Sequence, residues 1–432
     1  MYGRKRPRYQ SKYKLKMFRI KLIKQILGFS MCMAFCFMIT SLVRPEKDVH
    51  TMSRASDSGD TVWDTLPRRP IIQHQEKQES MRRGRINVRD LCKGNSFEKE
   101  NVFEYGRLMQ NRSVYYCYVP KCGTTFMEVF LKKVFTSPNT VFTKEYYEEI
   151  KEPHTLPDAY SFTFVREPYS RLFSAYENKF FHPNEMWKKL GTEVIREVRP
   201  DASETSKDIG HDVTFSELVQ YVVKMWAERR PLNPHLAPMK TICDPCQKRF
   251  DFIGKLETMS QDLQDLVEEL KYREVVSKGI SSTAKIESDT KNSRVFGRIF
   301  HMFESVKKYK NLISKYKLFQ RTWSSYQMRG VILKEIEMPF LEMDVEDVEE
   351  PEYRLAVKDA VESSVKYEAE LKAQRTESLV QAYRTVPLDL MTKLQEFVKS
   401  DCLIFGYDDK PKQLFDRSFP INPEGHDYFK GL

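Results

Sequence analysis

The sequence predicts an α/β fold, on two observations. Between about residues 81 and 272, short β-branched and aromatic runs alternate with stretches whose apolar residues recur at helical spacing. Two of those runs, 114–119 (VYYCYV) and 159–165 (AYSFTFV), lead directly into a short loop and then a helical pattern. Alternation of this kind builds a sheet covered by helices rather than strand stacked on strand.

The elements before this unit are polar or membrane-like. Residues 1–24 carry ten basic side chains (Arg4, Lys5, Arg6, Arg8, Lys12, Lys14, Lys16, Arg19, Lys21, Lys24) and no acid. They account for the whole formal net charge of +10, because 61 basic and 61 acidic residues remain beyond them. A balanced remainder argues against a nucleic-acid partner. Residues 26–43 (ILGFSMCMAFCFMITSLV) are eighteen residues without a charge, closed by Arg44. That is long enough to cross a thin bilayer, and the basic tail orients it with the tail in the cytosol. A core helix fits poorly behind ten positive charges, and no small-x-small cleavage site follows the apolar run. The expected order is a cytoplasmic tail (1–25), a type II signal anchor (26–43) suited to thin Golgi membranes and a flexible luminal stem (44–80). A luminal domain (81–410) and a C-terminal tail (411–432) follow.

Within the luminal domain, composition shifts to Lys, Glu, Ser and Val across 273–379, with helices expected near 293–319 and 352–383. A last helix is expected over 388–407. Cys92, Cys117, Cys122, Cys243, Cys246 and Cys402 lie beyond the anchor, where an oxidising lumen permits disulfides whose pairing spacing does not reveal. Cys243 and Cys246 form a C-x-x-C with no second pair, which favours a disulfide or a turn over zinc, and no metal site is expected. Asn111-Arg112-Ser113 is an acceptor triplet for N-glycosylation.

Two segments carry chemistry. After the run at 114–119 come Pro120, Lys121, Cys122, Gly123, Thr124, Thr125 and Phe126, and then FMEVFLKKVF at helical spacing. A strand, a small-residue loop and a helix aim backbone N–H groups and the positive helix end at one point, where a phosphate or sulfate binds. Lys121 adds a cation, and the threonines add hydroxyls. The triphosphate loop G-x-x-x-x-G-K-[ST] is absent, which disfavours a nucleoside kinase. The second segment reads Arg166, Glu167, Pro168, Tyr169, Ser170, Arg171, Leu172, Phe173, Ser174. Proline opens the helix and pins Arg166 at the strand end, so that its guanidinium and the Ser174 hydroxyl can grip one phosphate. Arg171 is a possible third cation, and Glu167 is placed to orient Arg166.

This pair of segments resembles the donor-binding signatures of sulfotransferases, most closely the membrane-bound Golgi carbohydrate sulfotransferases of the HNK-1 and chondroitin and dermatan 4-O type. MRRGRINVRDLC ending at Cys92, VTFSELVQYVV from Val213, LNPHLAP, CDPC and FDFIGKLET across 232–258, and KLQEFVKSDCLIFGYD at 393–408 are similar to further blocks of that family in the same order. The resemblance covers about 81–272 and 377–410. It implies a P-loop-like sulfotransferase fold, with a central parallel sheet flanked by helices, and 3′-phosphoadenosine 5′-phosphosulfate (PAPS) as co-substrate. Lys121 through Phe126 would line its 5′-phosphosulfate, with Lys121 on the bridging oxygen, and 166–174 would hold the 3′-phosphate through Arg166 and Ser174. His235 in NPHLAP matches a family histidine and is the candidate base, with His154 a weaker one. The acceptor would be a glycan hydroxyl in the Golgi lumen. Two departures narrow the reading. The family's first signature is closer to PKVACTNW than to the glycine-threonine wording here, and 273–379 has no recognised counterpart. The rival is a non-catalytic Golgi or matrix glycan-binding protein, which the balanced luminal charge disfavours.

Overall fold

The computed structural model describes residues 106–109, 113–135, 148–150, 159–246, 250–276, 283–418 and 425–432. All belong to one compact unit, Arg85–Leu432. The basic tail, the anchor at 26–43, the stem, Cys92, Asn111 and His154 lie outside the described residues. Among the described residues no helix is long and apolar enough to cross a membrane.

Five strands form one sheet: β1 (Gly106–Met109), β2 (Val114–Cys117), β3 (Glu148–Ile150), β4 (Tyr160–Val165) and β5 (Phe252–Lys255), in the order β3-β1-β2-β4-β5. β2, β4 and β5 run parallel, with Val114 opposite Tyr160 and Phe162 opposite Phe252. β1 is antiparallel to both β2 and β3. The sheet is therefore mixed, which corrects the expectation of a parallel one. The cause is chain length: residues 110–113 between β1 and β2 are too few for a crossover, so the chain can only double back.

Helix α1 (Thr124–Phe135) follows β2, and α2 (Pro168–Tyr176) follows β4. The chain continues through a π-helical turn (Glu177–Phe181), then α3 (Thr192–Val198), α4 (Glu204–Ile209) and α5 (Phe215–Ala227). α5 starts at a reciprocal cap in which Thr214 Oγ1 accepts from the Glu217 N–H while Glu217 accepts from the Thr214 N–H. α6 (Met259–Tyr272) follows β5. Next come α7 (Thr283–Lys308), α8 (Lys315–Met328), α9 (Glu350–Ser364), α10 (Glu368–Arg384), α11 (Leu388–Phe405) and the short α12 (Lys412–Phe415).

β2 and β4 are buried along their whole length, so both faces must be covered. Successive side chains supply the two cores. Val114 and Tyr116 pack with Phe162, Phe164 and the apolar faces of α1 and α6, including Phe130 and Leu266. Tyr115 and Cys117 join Val165 and residues of α2, α5 and α11, including Leu172, Leu218 and Leu394. Tyr116 stacks on Phe162 with ring centroids 4.8 Å apart.

The charged region after Arg273 holds four helices where two were expected. The break between α9 and α10 carries no turn residue; Ser364 instead accepts from the Leu333 N–H and donates to Ala360 O, which ties the helix end to a distant loop. This region is no appendage. Arg321 of α8 is fully buried and donates to the carbonyls of Phe180, Phe181 and His211 at 2.7 to 2.8 Å.

Candidate active site

The loop between β2 and α1 is shaped by its backbone. Lys121 and Gly123 both adopt positive φ, 72° and 79°, with Cys122 between them, and the Cys122 N–H closes a turn on Val119 O at 3.1 Å. Left-handed residues in such a sequence turn N–H groups towards a common point. A non-glycine residue in this conformation costs about 1 kcal/mol or more and persists only where neighbours hold it. Here Arg166 NH1 donates to Lys121 O at 3.5 Å, and Lys121 Nζ donates to Asn178 Oδ1 at 2.8 Å. The ends of two parallel strands thus bring Lys121 and Arg166 together.

Beside this loop lies a cleft of about 320 Å³, lined by Pro120, Thr124 and Thr125 of the first segment, by Arg107, Tyr118 and Glu128, and by Asn233, Pro234 and His235. Arg107 pairs with Glu128 at 3.6 Å and stacks over Tyr118 at 4.5 Å. His235 Nδ1 lies 2.9 Å from Asn233 Oδ1, and the His235 N–H donates to the same oxygen at 3.0 Å. An amide oxygen only accepts, so Nδ1 carries the ring proton and Nε2 keeps its lone pair. Burial, with Lys179, Lys121 and Arg171 nearby, holds His235 down at about 3, so the ring is neutral near pH 7.

Residues 232–243 roof the site, and three clamps hold them. Cys117 at the end of β2 is disulfide-bonded to Cys243, and Cys246 is disulfide-bonded as well. Asp401 of α11, buried, accepts from the Met239 and Lys240 N–H groups at 2.6 and 2.9 Å. The third clamp is Arg171, which donates to Pro120 O, Ala237 O and Pro234 O at 2.9, 2.6 and 3.0 Å. Arg171 is only 5% exposed. Its fork is spent on carbonyls, which corrects the expectation of a third phosphate cation.

Other residues of the two segments also serve the fold. Cys122 is fully buried, its Sγ lies 3.6 Å from Met239 Sδ, and burial pushes its thiol up to about 12, so it is neither a thiolate nor a lining residue. Phe126, Pro168, Tyr169, Leu172 and Phe173 are buried in the core. Glu167 does not orient Arg166. It is the N-cap of α2, its carboxylate accepting from the Tyr169 and Ser170 N–H groups at 2.9 and 2.6 Å. Pro120, Lys121, Gly123, Thr124, Thr125, Arg166 and Ser170 remain at the loops and helix starts, and Ser174 lies two turns into α2; all but Pro120 are at least partly exposed. Arg107, Glu128, Asn178 and Asn233 were missed by motif reading. Only Asn233 had a local signal, its place two residues before His235.

A mixed sheet carries, at the carboxyl ends of its parallel strands, a loop whose left-handed residues have the geometry of an anion nest, with Lys121 and Arg166 joined there and His235 in the roof. The model of the sulfotransferase family matches residues 108–327, just over half of the chain. The chain belongs to the sulfotransferase family, a family of enzymes. It is 36% identical over 167 residues to carbohydrate sulfotransferase 14 of Danio rerio, covering 35% of this chain and 44% of that protein. It is 32% identical over 206 residues to carbohydrate sulfotransferase 11 of Rattus norvegicus, covering 41% and 58%, and 28% identical over 233 residues to carbohydrate sulfotransferase 8 of Mus musculus, covering 49% and 55%. The chain spans about half the length of the curated relatives it matches. No solved structure matches it.

Proposed function

We propose that this protein transfers the sulfuryl group of PAPS to a hydroxyl of a glycan, as a single-pass type II enzyme of the Golgi membrane with its catalytic domain in the lumen. The carrying observation is the junction of Lys121 and Arg166, 3.5 Å from guanidinium nitrogen to carbonyl oxygen, where two parallel strands end. The relatives' names supply the sulfate and the carbohydrate. The uncharged run at 26–43 and the ten basic residues before it support the membrane and the luminal orientation.

In this reading the acceptor oxygen attacks sulfur in line, and the bond from sulfur to the 5′-phosphate oxygen breaks. The electron pair leaves with 3′-phosphoadenosine 5′-phosphate (PAP). Transfer of this kind depends on position and charge rather than on covalent help from the protein. The N–H groups of Gly123, Thr124 and Thr125 and the Lys121 ammonium meet the charge that grows on the leaving phosphate. Arg166 and Ser174 hold the 3′-phosphate. The hydroxyl proton passes to His235 Nε2. Burial lowers His235 first, and Lys179, Lys121 and Arg171 add to it; of these cations Lys121 is the one the donor neutralises, so donor binding removes part of the depression as the acceptor arrives.

The test offers labelled PAPS and a panel of glycosaminoglycan and N-glycan acceptors to the purified full-length chain. Sulfate incorporation into at least one acceptor, lost in Lys121→Ala and Arg166→Ala, is the expected result. Glycan binding without PAP affinity by calorimetry would replace this reading with the non-catalytic glycan-binding one.

A further inference from the structure

Directly after α2 the winding loosens into the π-helical turn Glu177–Phe181, a rare geometry that often sits at functional positions. Glu177 and Asn178 are neighbours at its start and serve different partners. Glu177 is 4% exposed. Its carboxylate is gripped bidentately by Arg298 of α7, at 2.5 and 2.9 Å, and receives the Ser325 hydroxyl of α8 at 2.7 Å. Arg298 also donates to Ser325 Oγ. Asn178 presents Oδ1 to the Lys121 ammonium at 2.8 Å, while its carbonyl is held by Asn184 Nδ2 at 3.0 Å.

An ammonium has three N–H donors on a flexible four-carbon stem. A bond to Oδ1 uses one of them and thereby fixes the direction of the other two. An amide does this without neutralising the charge the donor needs. The surroundings make such a tether necessary. Burial acts against the ammonium first; Glu177 acts for it, and Lys179 of the same turn, Arg298 of α7 and Arg329 at the end of α8 act against it. Arg166 at the end of β4 and His235 in the roof bound the other side. Left to itself, the charge would be driven away from the loop.

We propose that Asn178 is a positioning residue for the Lys121 ammonium, and that the buried Glu177–Arg298–Ser325 cluster holds Asn178 in place. Helices α7 and α8 thereby set the reacting end of the donor site from behind it. This gives the region at 273–379 a role in the site, and it rests on the reading of Lys121 as a donor contact.

The test measures PAP affinity of the full-length protein by calorimetry across a pH series from neutral into the alkaline range, because burial holds the Lys121 ammonium well below its ordinary value. Asn178→Ala is expected to weaken PAP about tenfold at neutral pH, the worth of one charge-assisted hydrogen bond, with its thermal midpoint kept. Asn178→Asp keeps an acceptor and adds a charge that stabilises the ammonium. Its affinity should persist to higher pH than that of the wild type. Ser325→Ala, which strands no charge, should weaken PAP by a smaller factor, about twofold to threefold. A residue that merely supported the turn would leave the pH midpoint of Asn178→Asp unmoved, and that outcome overturns the proposal, as does wild-type affinity in Asn178→Ala. Wild-type affinity in Ser325→Ala removes the helices from the account. If the wild type binds no PAP, the donor reading itself fails and this inference with it; if it does bind, the outcomes above bear on Asn178 alone.

Discussion

The two strand-loop-helix units share a topology and differ at the helix start. α1 begins at Thr124 with no acid in its first turn, and its opening threonines line the cleft. α2 begins behind Glu167, whose carboxylate already occupies the N–H groups of Tyr169 and Ser170. A helix start is an anion site only while its N–H groups are open. The second unit has therefore closed that position with its own carboxylate, whereas the first has no acid there; in the proposed reading the first would grip the donor through its backbone and the second through the Arg166 and Ser174 side chains.

The difference can be broken from either side. Lys121→Ala, which takes the cation from the open unit, should lower sulfate transfer roughly a thousandfold, read as labelled sulfate incorporated from PAPS. Thr125→Glu sets a carboxylate in the first turn of α1, where the donor's charge would lie; PAP affinity should fall by at least about a hundredfold. Arg171→Met cuts the bond between the units and the roof, and urea denaturation should show a loss of about 2 to 3 kcal/mol as three carbonyls lose their donor. Glu167→Ala opens the closed unit. It should cost about 1 kcal/mol of stability as a lost cap, while PAP affinity stays within about threefold of the wild type.

The mildest effect concerns pH. His235 titrates near 3 in the fold and near 6.5 when unfolded, so between those values the unfolded chain binds a proton that the folded one refuses. Stability therefore falls as pH drops through that window. His235→Gln should flatten part of the fall in denaturation curves taken between about pH 6.5 and 4. His182, His211 and His426, lowered in the same direction, keep the rest.

What could be read from sequence was what periodicity and adjacency encode. The runs at 114–119 and 159–165 became β2 and β4, and the helix expected over 388–407 became α11 at Leu388–Phe405. Lys121 and Arg166 meet at a loop that their neighbours in sequence already outlined. What escaped was written in distant partners. Arg171 and Glu167 look like site charges in a local reading, yet their obligations are to backbone groups, and those of Arg171 lie 51 to 66 residues away. Cys117 finds Cys243 across 126 residues, a pairing that spacing does not encode. The 273–379 region had a charged composition and no recognised counterpart, and nothing local shows that Arg298 and Arg321 turn their charge inwards onto the turn after α2. No periodicity announces a buried arginine.

The roof over the cleft has a consequence for the order in which the molecule is made. The five strands among the described residues are in hand once residue 255 has been synthesised, yet the roof still lacks Asp401 of the late helix α11, which holds its Met239 and Lys240 N–H groups. A nascent or truncated chain can thus complete its sheet and form the Cys117–Cys243 bond while the histidine-bearing segment is still missing an anchor. That anchor is supplied last, by α11.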